Sequence, residues 1–154
     1  MDITSLADCM TYVSEISQLH HAEWERMDRN LTLESRTDAL KAAAGDEGIP
    51  SVFVATNGNE LVGSAALVEQ DLDTHKDLGP WLSAVFVKKN WRNQGVASLL
   101  VERCETEARK VGVGKIYLST ELASGLYKKL GWEFVERCVY RGVELDVMCK
   151  EFTS

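Results

Sequence analysis

The most informative part of the chain is residues 85–97, which read VFVKKNWRNQGVA. An apolar strand ends at Val87, a short polar loop follows, and an amphipathic helix begins close to Gly95. The first turn of a helix has backbone N–H groups without internal partners, and the helix dipole adds partial positive charge there. Because Gly95 and Ala97 leave the approach open, the pattern predicts a loop that binds an anion such as a pyrophosphate.

This loop differs from the better-known phosphate-binding motifs. It lacks the spacing and the Gly-Lys-Ser/Thr ending of a nucleotide P-loop, and it lacks the Gly-x-Gly-x-x-Gly pattern of dinucleotide-binding folds. A single glycine before a helix is also typical of an ordinary structural turn. The remainder of the chain therefore has to decide between an anion site and a plain turn.

Composition is that of a soluble globular protein. The chain has 154 residues, of which 45% are hydrophobic and 27% charged, so we expect one domain over residues 1–154. No apolar run approaches the roughly 18 residues that a membrane span needs, and the N-terminus lacks the pattern of a signal peptide. We therefore expect a cytoplasmic protein without a membrane partner. The four cysteines are scattered and predict free thiols and no metal site: Cys9, Cys104, Cys138 and Cys149.

The formal net charge of −7 restricts the partners. Nucleic-acid binding requires a basic surface, so this charge argues against it. A negative field instead favours a cationic partner such as a free amine.

Before the decisive stretch, periodicity predicts a strand, two helices and a hairpin. Asp8 is expected to cap the first helix, and Asn57-Gly58 is expected to form a type I′ turn. The predicted elements are a strand at 1–6, helices at 8–19 and 33–44, and strands at 51–56 and 59–68. Trp81–Val87 is a near-continuous apolar strand, as expected in the middle of a sheet.

After the decisive stretch, a helix, a strand, a short helix and a closing hairpin are predicted. Thr120 is expected to cap the short helix, and Arg141-Gly142 to connect the hairpin. The first of these helices should bury one face, made of Val96, Leu99, Leu100, Cys104, Ala108 and Val111. The other elements are a strand at 115–119, a helix reaching Leu130, and strands at 133–140 and 143–149.

A second motif lies in the short helix, at Ala123-x-x-Leu126-Tyr127-Lys128-Lys129-Leu130-Gly131-Trp132. Leu126 and Leu130 are spaced to pack inward, and Gly131 suits a left-handed helix end. This motif and Arg92-x-x-Gly95-x-Ala97 together resemble the two signatures of the Gcn5-related N-acetyltransferase (GNAT) superfamily. The resemblance covers the whole element order and implies an α/β fold: a mixed, mostly antiparallel seven-stranded sheet with helices on both faces.

The resemblance also implies a cofactor and its site. In the family, loop amides bind the pyrophosphate of acetyl-coenzyme A, and a splayed strand pairs with its pantetheine arm and offers an N–H to the thioester carbonyl. The residues implied are Val85, Phe86, Val87, Arg92, Asn93, Gln94, Gly95, Val96, Ala97 and Ser98. Tyr127 would be the general acid at the sulfur, the alternative being a core tyrosine. Thr120 stands where the family usually has asparagine, and Lys89 where it often has proline.

A general base is not singled out by the sequence. Glu69, Asp71 and Asp73 follow the third strand and Glu121 lies beside the second motif, but solvated acidic residues would look the same. The His20-His21 pair has no metal-ligand spacing and is expected at the surface. Trp24 and Trp81 either line an acceptor cleft or pack in the core.

The sequence thus predicts an N-acetyltransferase that moves an acetyl group from acetyl-coenzyme A directly to a primary amine in a ternary complex. The acceptor is a small molecule or a peptide, and the protein is a monomer or a homodimer. An acyl-coenzyme A sensor without turnover is the main alternative. Another alternative is an interaction protein that has lost the cofactor, and the intact loop argues against it. A further one is a transfer-RNA-acetylating toxin, and the charge of −7 argues against that.

Overall fold

The structure is a computed structural model in which residues 1–153 are described. Seven strands and four helices form the framework, with short 3₁₀ turns between some of them. The strands are β1 (Asp2–Ser5), β2 (Ser51–Asn57), β3 (Glu60–Val68), β4 (Trp81–Val87), β5 (Lys115–Thr120), β6 (Glu133–Tyr140) and β7 (Val143–Glu151). The helices are α1 (Val13–Trp24), α2 (Leu33–Ala43), α3 (Val96–Lys110) and α4 (Ser124–Lys129).

The strands form one sheet in the order β1-β2-β3-β4-β5-β7-β6. Every neighbouring pair is antiparallel except β4 and β5, which are parallel. One face carries α3 and a core built around Leu100, Cys104 and Leu118. The other carries α1 and α2, which pack Ile16 and Leu40 against β2 and β3. The expected mixed α/β architecture with helices on both faces is confirmed.

The parallel pair is the irregular part of the sheet. β4 and β5 are in register only at Trp81 and Tyr117, where the Tyr117 amide donates to the Pro80 carbonyl at 3.0 Å. Beyond this point the two strands separate, while β4 continues to pair with β3 as far as Val87. The β5-facing edge of β4 is therefore without a partner strand over most of its length.

A β-bulge accompanies this separation. Ser64 is opposite Phe86 and Ala66 is opposite Ser83, so β4 has one residue more than β3 in this interval. Within it, Ala84 has a φ of 52°, in the left-handed region that side chains other than glycine disfavour. Because a bulge bends and twists its strand, it directs β4 away from β5 and opens the sheet.

Two local expectations are wrong. Asp8 does not cap α1: it ends one 3₁₀ turn, a second one intervenes, and the helix begins at Val13 without a side-chain cap. The β2–β3 turn consists of Gly58 and Asn59 rather than Asn57 and Gly58, because a bulge after Ala55 shifts the register. Only Gly58 has positive φ, which is the pattern of a type II′ turn.

The buried face of α3 also differs from the expectation at its edges. Leu99 and Val111 are 42% and 47% exposed, since Leu99 lies one residue (about 100°) off the face and Val111 follows the end of the helix. Val101 and Glu107 are buried instead. Across residues 1–153, none of the helices combines the length and the apolar character required to cross a bilayer.

Glu107 is a buried carboxylate that connects α3 to the chain before β2. It is 2% exposed, accepts a hydrogen bond from the Gly48 amide at 2.8 Å and forms an ion pair with Arg103 at 3.0 Å. Removing it would leave a buried N–H and a guanidinium without their acceptor, which typically costs a few kcal/mol.

We therefore expect Glu107→Ala to lower the free energy of unfolding by about 2–3 kcal/mol. Glu102→Ala, an exposed site on the same helix, is the matched control and should change it by less than about 0.5 kcal/mol. Urea denaturation of both variants measures the difference. Equal effects would show that the Glu107 contacts do not hold this loop.

Candidate functional site

A cavity of about 560 Å³ occupies the gap where β4 and β5 separate. Its floor is formed by the bulged part of β4 and the end of β5, and α4 contributes Tyr127. The remaining walls come from the end of α1 and the turn after it, from α2, from the loop after β3, and from the β6–β7 turn. The divergence of two strands thus creates a site that side chains from most of the fold can reach.

Tyr127 lies in the cavity wall and is 6% exposed. Its ring packs edge-on against Trp132, with 6.0 Å between the ring centroids. Burial, with a smaller contribution from the neighbouring Cys104 thiol, raises the pKa of the phenol to about 12. Tyr127 therefore packs in the core with its protonated phenol at the cavity wall, and its role as a proton donor stays a prediction.

The loop before α3 presents a row of free backbone donors. Gly95 has a φ of 82° and precedes the first helical residue, Val96. Within residues 1–153, the amides of residues 93–98 have no hydrogen-bond acceptor, and the first amide bonded back to the loop is that of Leu99. A side chain at Gly95 would point into open space. Free backbone donors at a helix N-terminus are the kind of group that anions bind.

Arg92 holds this loop against the end of β4. Its Nε donates to the Val87 carbonyl at 3.0 Å, and its guanidinium carbon lies 6.0 Å from the centroid of the Phe86 ring. Its side chain makes no ion pair with the described part of the chain. The predicted Arg92 is therefore anchored by one nitrogen and has its other nitrogens available for an anion.

The β4 residues of the predicted site divide between the faces of the sheet. Val85 lines the cavity, and Val87 is buried beside the core under α3. Phe86 faces α1, where it contacts the rings of His20 and Trp24 at centroid distances of 6.1 and 6.3 Å. The loop of residues 92–98 (the phosphate-type loop) does not line the cavity. The two predicted parts of the site are therefore separate surfaces joined by β4.

The four carboxylates considered as bases occupy different positions. Glu69 and Asp73 are outside the cavity wall, and Asp73 pairs with Arg141 at 3.7 Å. Glu121 lines the cavity but forms an ion pair with Arg26 at 2.8 Å. Asp71 lines the cavity and makes no ion pair with residues 1–153.

Asp71 has an unusual environment. The Asp71 side chain is open to solvent on the cavity side. The protein atoms around its carboxyl group partly desolvate it, and this burial raises its pKa above the ordinary value. The Ser83 hydroxyl, which donates to it at 3.2 Å, and the charge of Arg36 act in the opposite direction but do not cancel the effect. A carboxylate with a raised pKa in a cavity is suited to accepting a proton.

The positions of His20, Trp24 and Trp81 differ from or decide between the expectations from sequence. His20 is 1% exposed rather than at the surface, because it lies four residues after Ile16 on the buried face of α1. It contacts Ser64 Oγ at 2.8 Å, and burial lowers its pKa to about 3, so the imidazole is neutral. Trp24, packed on His20, lines the cavity, whereas Trp81 is fully buried.

Sequence reasoning did not single out the three arginines of the cavity wall: Arg26, Arg36 and Arg141. They come from separate helical and turn segments in which charged residues are ordinarily solvated. Their convergence depends on how α1 and α2 pack over the sheet, so no local pattern indicates it. Thr120, also in the wall, does not cap α4 as expected: it accepts a hydrogen bond from the Ala123 amide at 3.0 Å in the preceding turn, and the helix begins at Ser124 without a side-chain cap. Metal-binding groups of three or more His, Cys, Asp or Glu are absent from residues 1–153.

Comparison with known proteins places this geometry in a family. A family model described as an acetyltransferase (GNAT) domain matches residues 49–134, more than half of the chain. An uncharacterised N-acetyltransferase from Chlorobaculum tepidum is 28% identical over 91 residues. The match covers 59% of this chain and 55% of that protein, so it spans about half of the relative's length.

Solved structures show the same fold at low sequence identity. A ribosomal-protein-alanine N-acetyltransferase from Brucella melitensis superposes with a TM-score of 0.78 at 20% identity, covering 99% of this chain and 100% of the other. An aminoglycoside 6′-N-acetyltransferase complexed with coenzyme A gives 0.77 at 18% identity, covering 98% and 97%. Family model, strand order and the two motifs agree, and the chain belongs to the GNAT acetyltransferase family.

Proposed function

We propose that this protein is an N-acetyltransferase that transfers an acetyl group from acetyl-coenzyme A directly to a primary amine. The observation that carries the proposal is the cavity between β4 and β5, which joins an unpaired strand edge, the Tyr127 phenol and the Asp71 carboxylate in one space. The family match and the coenzyme A complex of a protein with the same fold support the choice of cofactor.

The residues present fit this cofactor. The free amides of residues 93–98 and the available nitrogens of Arg92 would bind the pyrophosphate, and Gly95 leaves their approach open. The unpaired edge of Val85–Val87 would hydrogen-bond the pantetheine arm as an added strand. When bound, the cofactor supplies the acetyl group as a thioester.

Asp71 is our proposed general base. An ammonium must lose a proton before its nitrogen can attack. Two cavity carboxylates, Glu23 and Asp71, have no cation of residues 1–153 within ion-pair distance, and of these Asp71 is the one held at the β4 floor, by the Ser83 hydroxyl. Its raised pKa increases its basicity over that of an ordinary aspartate.

Tyr127 is our proposed donor to the departing thiolate. Its pKa of about 12 keeps it protonated at neutral pH. A simple alkyl thiol has a pKa of about 8.5, so full proton transfer to a solvated thiolate would be unfavourable by roughly 5 kcal/mol. Tyr127 therefore acts mainly by donating a hydrogen bond to the sulfur as negative charge develops.

The architecture supports a ternary complex over a covalent acyl-enzyme. Among residues 1–153, no cysteine lines the cavity. Cys104, near Tyr127, is fully buried, and burial raises the pKa of its thiol, which keeps it unreactive.

Gly95→Glu tests the phosphate-type loop. We expect at least a tenfold loss of acetyl-coenzyme A affinity in calorimetric titration, because a negative side chain would face the bound phosphates. Gly112→Glu is the matched control, since Gly112 also has positive φ and open space around it but lies beyond the other end of α3. Equal affinities in the two folded variants would contradict this placement of the phosphates.

Tyr127→Phe tests the donor. We expect kcat to fall about tenfold or more, with the acetyl-coenzyme A dissociation constant unchanged, because only the developing thiolate requires the hydroxyl. Tyr140→Phe makes the same chemical change elsewhere in the cavity wall and should have little effect on kcat. Unchanged turnover in Tyr127→Phe would remove Tyr127 from the mechanism.

Asp71→Asn tests the base through the pH profile. A protonated Asp71 cannot accept a proton, so wild-type kcat/KM should fall as the pH decreases through its raised pKa. Asp71→Asn should lower kcat/KM at least tenfold and lose this acidic limb, whereas Glu121→Gln should keep it. An acidic limb that persists in Asp71→Asn would assign the base elsewhere.

A further inference from the structure

The cavity wall contains three arginines, and their charges are not equally compensated. Arg26 forms an ion pair with Glu121 at 2.8 Å. Arg141 pairs with Asp28 at 2.5 Å and with Asp73 at 3.7 Å. Within residues 1–153, Arg36 has neither an ion pair nor a side-chain hydrogen bond.

Arg36 is also the arginine that the protein shields most. It projects from α2 and is partly buried, and its Nε is inaccessible to solvent and has no acceptor in the described chain. Burial lowers its pKa, but a guanidinium remains charged at any physiological pH. The shielded Nε–H without an acceptor costs free energy in the folded state, and an anion bound at this guanidinium would supply the acceptor.

Asp71 provides the complementary charge in the same cavity. The two groups are close enough for each to affect the pKa of the other, yet no Arg36 nitrogen lies within 4.0 Å of an Asp71 oxygen. Within residues 1–153, Arg36 is thus the cavity arginine without an ion pair, Asp71 and Glu23 are the cavity carboxylates without one, and a gap separates Arg36 from Asp71. A ligand that carries both a positive and a negative group would satisfy both across that gap.

We propose that the acceptor is a small amine that also carries a carboxylate, as a free amino acid does, with its ammonium at Asp71 and its carboxylate at Arg36. The inference rests on the proposed acetyl transfer and defines its substrate class. A polycation would fit less well, because within residues 1–153 two of the four cavity carboxylates, Glu121 and Asp28, are already neutralised by arginines and Arg36 would repel it. A peptide N-terminus would not supply a carboxylate next to its amine.

The test compares the standard L-amino acids with their C-terminal amides, which keep the amine and lose the carboxylate. Acetyl transfer is followed by release of the coenzyme A thiol in the wild-type protein. We expect kcat/KM for the best amino acid to exceed that of its own amide at least tenfold, as expected for loss of a charge-assisted hydrogen bond. Amides, polyamines or peptides accepted as well as free amino acids would overturn the proposal.

Arg36→Gln localises the effect. We expect it to abolish the preference by lowering kcat/KM for the amino acid, while kcat/KM for the amide stays within about twofold. Arg26→Gln is the matched control, since Arg26 lines the same cavity but is already paired, and it should leave the ratio unchanged. Equal losses for amino acid and amide in folded Arg36→Gln would contradict the assignment. If this variant does not fold, Arg36→Lys and the wild-type comparison decide.

A binding measurement separates this proposal from the proposed function. Calorimetry with acetyl-coenzyme A alone tests the proposed transferase function. Calorimetry of the amino acids and their amides, with protein saturated by coenzyme A, tests the acceptor class without turnover. Tighter binding of an amino acid than of its amide supports the acceptor class even if no acetylation occurs. Binding of acetyl-coenzyme A with no preference between the two overturns the acceptor class and leaves the transferase reading intact.

Discussion

The separation of β4 from β5 is the constraint on which the candidate site depends. A parallel pair in the middle of a sheet would ordinarily continue for several residues, because each lost backbone hydrogen bond is a buried polar group without a partner. Here the pair ends at Trp81 and Tyr117, and the bulge at Ala84 directs β4 elsewhere. The backbone groups on the open edge then depend on a ligand or water for their hydrogen bonds.

The other parts of the site follow from this opening. α3 begins directly after β4, so the free amides of its first turn lie at one end of the exposed edge. α4 follows β5, and its Tyr127 lines the space between the separated strands. On the other face, His20 packs between Trp24 and Phe86 and holds the end of α1 over the cavity. One irregularity in the sheet thus places the Tyr127 phenol and the cavity on one stretch of β4 and the free amides of α3 at the end of the same strand.

How much the sequence predicts depends on how local each feature is. The strand Trp81–Val87, the helix end at Gly131 and the closing hairpin at Arg141-Gly142 are determined by patterns of a few residues, and the structure has them as expected. The spacing of four residues between Ile16 and His20 indicates that His20 lies on the buried face of α1, but the polar residues beside it in the sequence favoured a surface position. No local pattern predicts that Arg36 and Asp71 line the same cavity, because the packing of α2 over the sheet brings them there. The sequence alone therefore predicts the cofactor half of the site better than the acceptor half.

Amide chemical shifts recorded during titration with acetyl-coenzyme A would show whether the cofactor binds along the opened edge of β4. We expect the largest changes at residues 85–87 and 93–98, with smaller changes around Tyr127. The β1–β2 region, at the far edge of the sheet, should be nearly unaffected. Changes concentrated elsewhere, or none at millimolar cofactor, would exclude binding along β4.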